Sequence, residues 1–250
     1  MSEYTLENWG RTARSHPTQI VAPADRDALI AIIAGAAGPS PKRVRPMGHR
    51  HSVNYCFEAD GAIQVDMSRF GVDDPPIVNA GARTITAKAG ATLLQVRDAL
   101  RPYDLELAVS PEIGNATAGS VACAGTKDGS LRGRAPGIGQ IASSVVRVEI
   151  VDAAGIPQTI QGAGLQAFRS SHGRMGIVYE VTFQAVAREL LQIEYEWLRL
   201  DPLPSIHRVF DRGGGKGQAD GVLAFIQAYK KRLLVEITSR QSGLVANEYE

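Results

Sequence analysis

The stretch VRPMGHRHSVN, Val44 to Asn54, sets two histidines two residues apart, directly after a short apolar run, a proline and a glycine. On residue type alone the pair reads three ways: as metal ligands, as ordinary loop residues, or as the handle by which the chain holds a bound small molecule. An H-x-H pair at a strand end can bind zinc through two imidazoles, but it needs further ligands. His16, His172 and His207 stand in no ligand-like spacing with the pair or with each other, so no metal is expected.

The chain's bulk properties narrow the choice. With 250 residues and 44% hydrophobic side chains it can bury a real core, as one large domain or two small ones. Its 27 basic and 26 acidic side chains leave no electrostatic footprint for nucleic acid or an anionic membrane, which points to a small-molecule partner. MSEYTLENWG lacks a basic region followed by an apolar run, and no stretch approaches the roughly 20 apolar residues of a membrane span. No membrane association and a cytoplasmic location are therefore expected. Cys56 and Cys123 are far apart and not in a CxxC, so both are expected to fill core space. Asn115 to Thr117 matches a glycosylation acceptor, without consequence in the absence of a secretion signal.

Outward from the histidine pair, TQIVAP reads as a strand, ADRDALIAIIAGAAG as a helix ending at Gly38-Pro39, and KRVRPM as a second strand that leads into GHRHS. This is a βαβ-type start. Strands are expected at AIQVDM and TITAKA, then a helix over TLLQVRDALR that buries Leu94, Val96 and Leu100. From Ser110 to Gly139 the texture changes: glycine, alanine, serine and threonine dominate and bulky side chains nearly vanish. Such a segment lets a ligand lie along the main chain. SSVVRVEIVD and RMGIVYEVTFQAV read as strands; beyond Ala187 a loop at DRGGGKGQADG and a strand at RLLVEITSR are expected.

Isolated motifs add little. GIGQIA, Gly137 to Ala142, fits G-x-G-x-x-A, but it leads into a strand rather than a helix, so it is a weak dinucleotide signal. GGGKG, Gly213 to Gly217, lacks the spacing and the Ser/Thr of a phosphate-binding loop. RSSHG around His172 has no G-x-S-x-G elbow to make it a hydrolase nucleophile.

The combination is informative. NWGRTARSHPTQIVAPADRDAL, VRPMGHRHSVN, SPEIGNATAGSVACAGT, SVVRVEIVDAAG and SHGRMGIVYEVTF follow one another in an order that resembles the FAD-binding domain of the vanillyl-alcohol oxidase and p-cresol methylhydroxylase flavoproteins. Within that superfamily the chain most resembles the aldonolactone and alditol oxidase branch, over roughly residues 8–186. The resemblance implies an α+β fold: a two-lobed PCMH-type FAD-binding domain over 1–187, with lobes at about 1–75 and 76–187, then a partial substrate (cap) domain over 188–250.

By the same resemblance His51, directly before a serine, is the residue that bonds covalently to the flavin 8α-methyl group. Met47, Gly48, His49, Arg50 and Ser52 would surround the pyrophosphate, His49 at a variable position and Arg50 where many relatives carry glycine. Ser110, Pro111, Gly114, Thr117, Gly119, Ser120, Ala122 and Thr126 would line the cofactor, with backbone contacts from Ile177. Lys127 replaces a usual histidine and Asp128 is extra, a change that either tunes the flavin or reshapes the loop. The cysteine that makes a second flavin bond in the berberine-bridge subgroup has no counterpart, Asn115 standing near that position. The implied activity is an FAD-dependent oxidase or dehydrogenase that takes a hydride from a hydroxyl-bearing carbon of a polyol, sugar or aldonolactone to flavin N5, with oxygen or another acceptor taking the electrons. No catalytic base is assigned, because the late cap motifs of the family have no counterpart before Glu250. The alternative is a flavin-binding subunit or truncated module that needs a second chain for activity.

Overall fold

The computed structural model describes residues 4–131, 139–200 and 219–241. Two short strands, β1 (Leu6–Glu7) and β2 (Arg14–Ser15), form a hairpin that leads into β3 (Gln19–Val21). The helix α1 (Arg26–Ala36) starts where the Asp25 side chain accepts from the Ala28 N–H at 2.8 Å, and it turns Leu29, Ile33 and Ala36 inward. It crosses to β4 (Val44–Met47), and both β3 and β4 pair in parallel with β5 (Ile63–Asp66), which lies between them. The expected βαβ start is therefore a crossover with a third strand inserted at its centre.

A five-stranded antiparallel sheet follows, in the order β10-β9-β11-β7-β6, from β6 (Ile77–Asn79), β7 (Thr84–Lys88), β9 (Val145–Val151), β10 (Pro157–Gln161) and β11 (Ile177–Gln184). Period-2 patterning sets the register: Ile85 and Ala87 point inward while Thr86 and Lys88 reach Thr182 at 2.9 Å and Glu180 at 2.7 Å on the neighbouring strand. Between β7 and β9 lie α2 (Leu93–Leu100), β8 (Leu105–Glu106) and α3 (Ala118–Cys123), and α4 (Gly164–Phe168) precedes β11. A capping box between Thr92 and Gln95 starts α2. Its buried face is Leu93, Val96 and Leu100, whereas Leu94, expected inside, is 40% exposed: it stands one residue off the 3.6-residue repeat and covers Gly114 instead.

One hydrophobic cluster runs from Leu29 and Val65 of the parallel sheet through Ile85 and Val96 to Phe168 and Phe183, joining both sheets in a mixed α+β core. Each large side chain so buried contributes about 1.5–3 kcal/mol. Beyond β12 (Val186–Ala187), which pairs with β8, the strands β13 (Leu190–Arg199), β14 (Gly221–Gln227) and β15 (Arg232–Gln241) form a separate antiparallel sheet in the order β13-β15-β14. The strand expected at RLLVEITSR is β15, and most of DRGGGKGQADG lies outside the described residues. The sheet is tied to the preceding part of the chain by backbone bonds, Leu131 N–H to the Asp220 carbonyl at 2.8 Å and Val222 N–H to the Gly129 carbonyl at 2.7 Å. No helix among the described residues is long and apolar enough to cross a membrane.

Candidate functional site

A cleft of about 410 Å³, within the usual range of ligand sites, opens where the carboxyl end of β4 meets α3 and the amino end of β11. One wall is the loop that leaves β4. Arg50 sits in left-handed backbone at φ 58°, a conformation that favours glycine; its guanidinium holds the turn by donating to the Glu7 carbonyl at 3.0 Å and to Met47 Sδ.

The loop is fixed from the amino terminus. The buried Asn8 side chain donates to the Ser52 carbonyl and to Thr12 Oγ1, both at 2.9 Å, and accepts from the N–H groups of Thr12 and Ala13. The Trp9 N–H donates to the Arg50 carbonyl at 2.9 Å. This is the structural content of the Asn-Trp pair. Asn8→Ala strands several of these groups at once and is expected to cost about 3 kcal/mol in denaturant unfolding and to weaken flavin retention. Asn8→Asp keeps both acceptor bonds and loses the two donors, so it is expected to fall between; an Asn8→Ala variant as stable as the parent refutes the staple.

The opposite wall is the small-residue segment. α3 packs so closely on the end of β7 that a Cβ on Gly119 would come within 2.9 Å of Ala89 Cβ, and its first N–H groups donate to the Ala91 and Ala89 carbonyls. The scarcity of bulk in AGSVACAG thus serves helix packing as well as the cleft. Thr117 Oγ1 and Ser120 Oγ hydrogen-bond at 2.8 Å, and Gly48 of the facing loop fits against both with no room for a β-carbon. The third wall is Gly173, Gly176 and His172, whose N–H donates to the Cys123 carbonyl at 2.8 Å.

His49 and His51 both reach the cleft, their rings 6.4 Å apart and edge to face. His49 Nδ1 donates to the Asn115 carbonyl at 2.6 Å; a carbonyl only accepts, so Nδ1 carries the hydrogen. His51 Nε2 is buried and has no hydrogen-bond partner among the described residues. Burial first, then the charge of His49, push the His51 imidazole below its ordinary 6.5, opposed by a hydrogen bond with the Asn115 side chain. At neutral pH the ring is an uncharged nucleophile.

Of the residues singled out in the sequence, the fold brings together at the cleft Met47 to Ser52, Thr117, Gly119, Ser120 and Thr126. It does not bring there Ser110, Pro111, Gly114, Ala122 or Ile177. Ala122 and Ile177 are core residues of α3 and β11, Gly114 is covered by Leu94, and the Ser110 N–H is held by Asp128 at 3.2 Å. Asp128 also accepts from the Ser130 N–H at 2.8 Å, and Lys127 Nζ donates to the carbonyls of Asp128 and Ser130; the departure from the family pattern is thus built into the loop's own shape. Sequence reasoning weighed His172 only as a metal ligand or hydrolase group and gave Asn8, Ala89 and Ile113 no role of their own at the site; long-range packing brings them in. Cys123 is buried, its thiol pushed up to about 11 by burial; Cys56, expected in the core, is only half-buried and lines the cleft. Among the described residues no three His, Cys, Asp or Glu side chains group as a metal would require.

The cleft suits a dinucleotide bearing a reactive ring. The N–H groups of His49 to Ser52 make no internal hydrogen bond among the described residues, which leaves them to an anion such as a pyrophosphate. His51 lines the same cleft, with its Nε2 buried and unpartnered.

Comparison with known proteins agrees with this geometry. The family model described as FAD binding domain matches residues 17–161, more than half of the chain. Among curated proteins the chain is similar to the L-gulonolactone oxidase of Bos taurus, 25% identical over 191 residues that cover 75% of this chain and 41% of that protein. The chain thus spans about two fifths of the length of the curated relative it matches.

Proposed function

This chain belongs to the FAD binding domain family, and from that premise we propose that it is an FAD-linked oxidoreductase that takes a hydride from a hydroxyl-bearing carbon, in the polyol, sugar or aldonolactone class, with dioxygen or another acceptor receiving the electrons. The observation that carries the reading is the cleft walled by the β4 loop and α3, with free loop N–H groups on one side and an unpartnered imidazole nitrogen beside them. When bound, the isoalloxazine of FAD supplies the two-electron acceptor. The chain supplies position. The N–H groups of the 49–52 loop and the Thr117 and Ser120 hydroxyls hold the pyrophosphate; the Gly173 to Gly176 turn closes the far side. His51 anchors the ring covalently.

A second reading, a flavin-binding module that needs another chain to build its active site, is favoured by one feature. Leu191, Ile193, Tyr195 and Trp197 alternate along β13, each about half-exposed on one face of the last sheet. Anaerobic mixing of the FAD-loaded chain with a hexitol and with a hexonolactone separates the two. Bleaching of the visible flavin band supports the enzyme; a loaded chain that bleaches with neither until a second polypeptide is added supports the module. A chain that takes up no FAD overturns both.

A further inference from the structure

The last sheet has two unlike edges. Along β14 the chain closes the edge itself: Ser130 bridges to Gly221, the Leu131 N–H donates to the Asp220 carbonyl and the Val222 N–H to the Gly129 carbonyl. Along β13 the edge is open, since among the described residues this strand pairs with β15 alone. The ladder to β15 runs from Leu190 to Arg199 without a bulge, and LLQIEYEWLR holds no lysine, proline or glycine. Bulges, lysines and prolines are the means by which sheet edges avoid accidental pairing. A long regular strand without them, with Leu191, Ile193, Tyr195 and Trp197 exposed along one face, is a template for another strand.

We propose that a second copy of this chain occupies that edge, β13 against β13, antiparallel about a two-fold axis at Ile193. Opposed side chains in such a pair point to one face, so the axis passes through a residue that meets its own copy. Glu194 and Glu196 are the only charged residues from Leu190 to Leu198, and they decide where. An axis at 194 or at 196 sets a carboxylate against itself, and an axis at 195 sets Glu194 against Glu196 of the other copy, all of them unfavourable. An axis at 192 overlaps only residues 190–194 of the strand, against 190–196 for an axis at Ile193. The Ile193 axis opposes no two charges. It places Ile193 on Ile193, Leu191 on Tyr195 of the other copy, and Gln192 on Glu194 of the other copy. The Gln192 amide, which donates to Glu194 of its own strand at 3.0 Å, then has a second carboxylate opposite it. The two three-stranded sheets become one, with their apolar faces on the same side.

Mass and cross-linking test this on the full chain, with or without FAD. Sedimentation velocity is expected to show a species of twice the 26.7 kDa chain mass that dissociates on dilution. Ile193→Lys, at an exposed position, is expected to keep the far-UV circular dichroism and FAD uptake of the parent and to raise the dimer dissociation constant about tenfold or more. A parent that stays monomeric as its concentration is raised overturns the inference, whatever other polypeptide the edge accepts. Cross-linking tests the register without depending on that variant. Opposed Cα atoms of an antiparallel pair lie about 4.5–5.5 Å apart, within reach of a disulfide. Ile193→Cys is expected to form a covalent dimer on mild oxidation roughly tenfold faster than the parent, whose Cys56 and Cys123 set the background. Two Leu191→Cys positions would lie about 14 Å apart, at roughly 3.4 Å per residue. They are expected to stay at background alone and to cross-link when mixed with Tyr195→Cys chains. An Ile193→Cys chain that cross-links at the parent's rate, or a Leu191→Cys chain that cross-links with itself, overturns the inference.

Discussion

His51→Ala is expected to move all of the yellow colour from the pellet to the supernatant when the FAD-loaded protein is precipitated with acid. Acid unfolds the chain and abolishes every contact of the cleft, so only a covalent bond keeps flavin with the pellet. The ring side chain is half-buried and its Nε2 has no partner to strand, so its removal costs the fold little and the variant still presents the β4 loop to the cofactor. His49→Ala is the control. His49 spends its Nδ1 hydrogen on the Asn115 carbonyl, and its loss is expected to leave the tether in place. Colour released by His49→Ala and retained by His51→Ala would place the bond on the wrong histidine here. The state of charge supports the assignment: burial and the His49 charge lower the affinity of His51 for a proton, so the neutral, nucleophilic fraction at pH 7 exceeds that of a free histidine.

The β4 loop was legible as a cleft wall because a family motif surrounds it, and α1 because Asp25 caps a run of regularly spaced apolar residues. The residues that steady His51 were not. Asn8 lies 44 residues before the carbonyl it holds at Ser52, and Asn115 meets His49 across 66 residues; neither spacing leaves a local mark. In the small-residue segment a short buried helix packed on β7 and a ligand cradle ask for the same side chains, and Ala122, expected beside the cofactor, is buried in the packing of α3 and does not line the cleft. Leu94 failed for a subtler reason, one residue of phase on an eight-residue helix. Only β15 was expected in the last sheet, although β13 carries the alternation of Leu191, Ile193, Tyr195 and Trp197 that marks a strand with two unlike faces.

Gly48→Ala is expected to unfasten the cleft without strain in the backbone of residue 48, whose φ is not in the left-handed region that favours glycine. The cause is steric. A Cβ there would meet Ser120 Oγ and Thr117 Oγ1, both far inside van der Waals contact, and the two hydroxyls are bonded to each other at 2.8 Å. Thr117 is 2% exposed at the start of α3 and has no free direction in which to swing, so the β4 loop must retreat. Overpacking of this kind costs about 1–3 kcal/mol. The loop that retreats is also the one that carries His51 and the unpaired N–H groups, so the penalty falls on the bound state too, and each 1.4 kcal/mol weakens FAD roughly tenfold. Titration of the flavin-free proteins with FAD, followed by tryptophan fluorescence or calorimetry, measures the loss. Adding Thr117→Ala and Ser120→Ala to Gly48→Ala removes both obstructing hydroxyls and is expected to restore the fold's stability while leaving FAD weaker than in the parent, because the hydroxyls themselves are gone. A Gly48→Ala chain that binds FAD as the parent does would show that the two walls are not held at this point of contact.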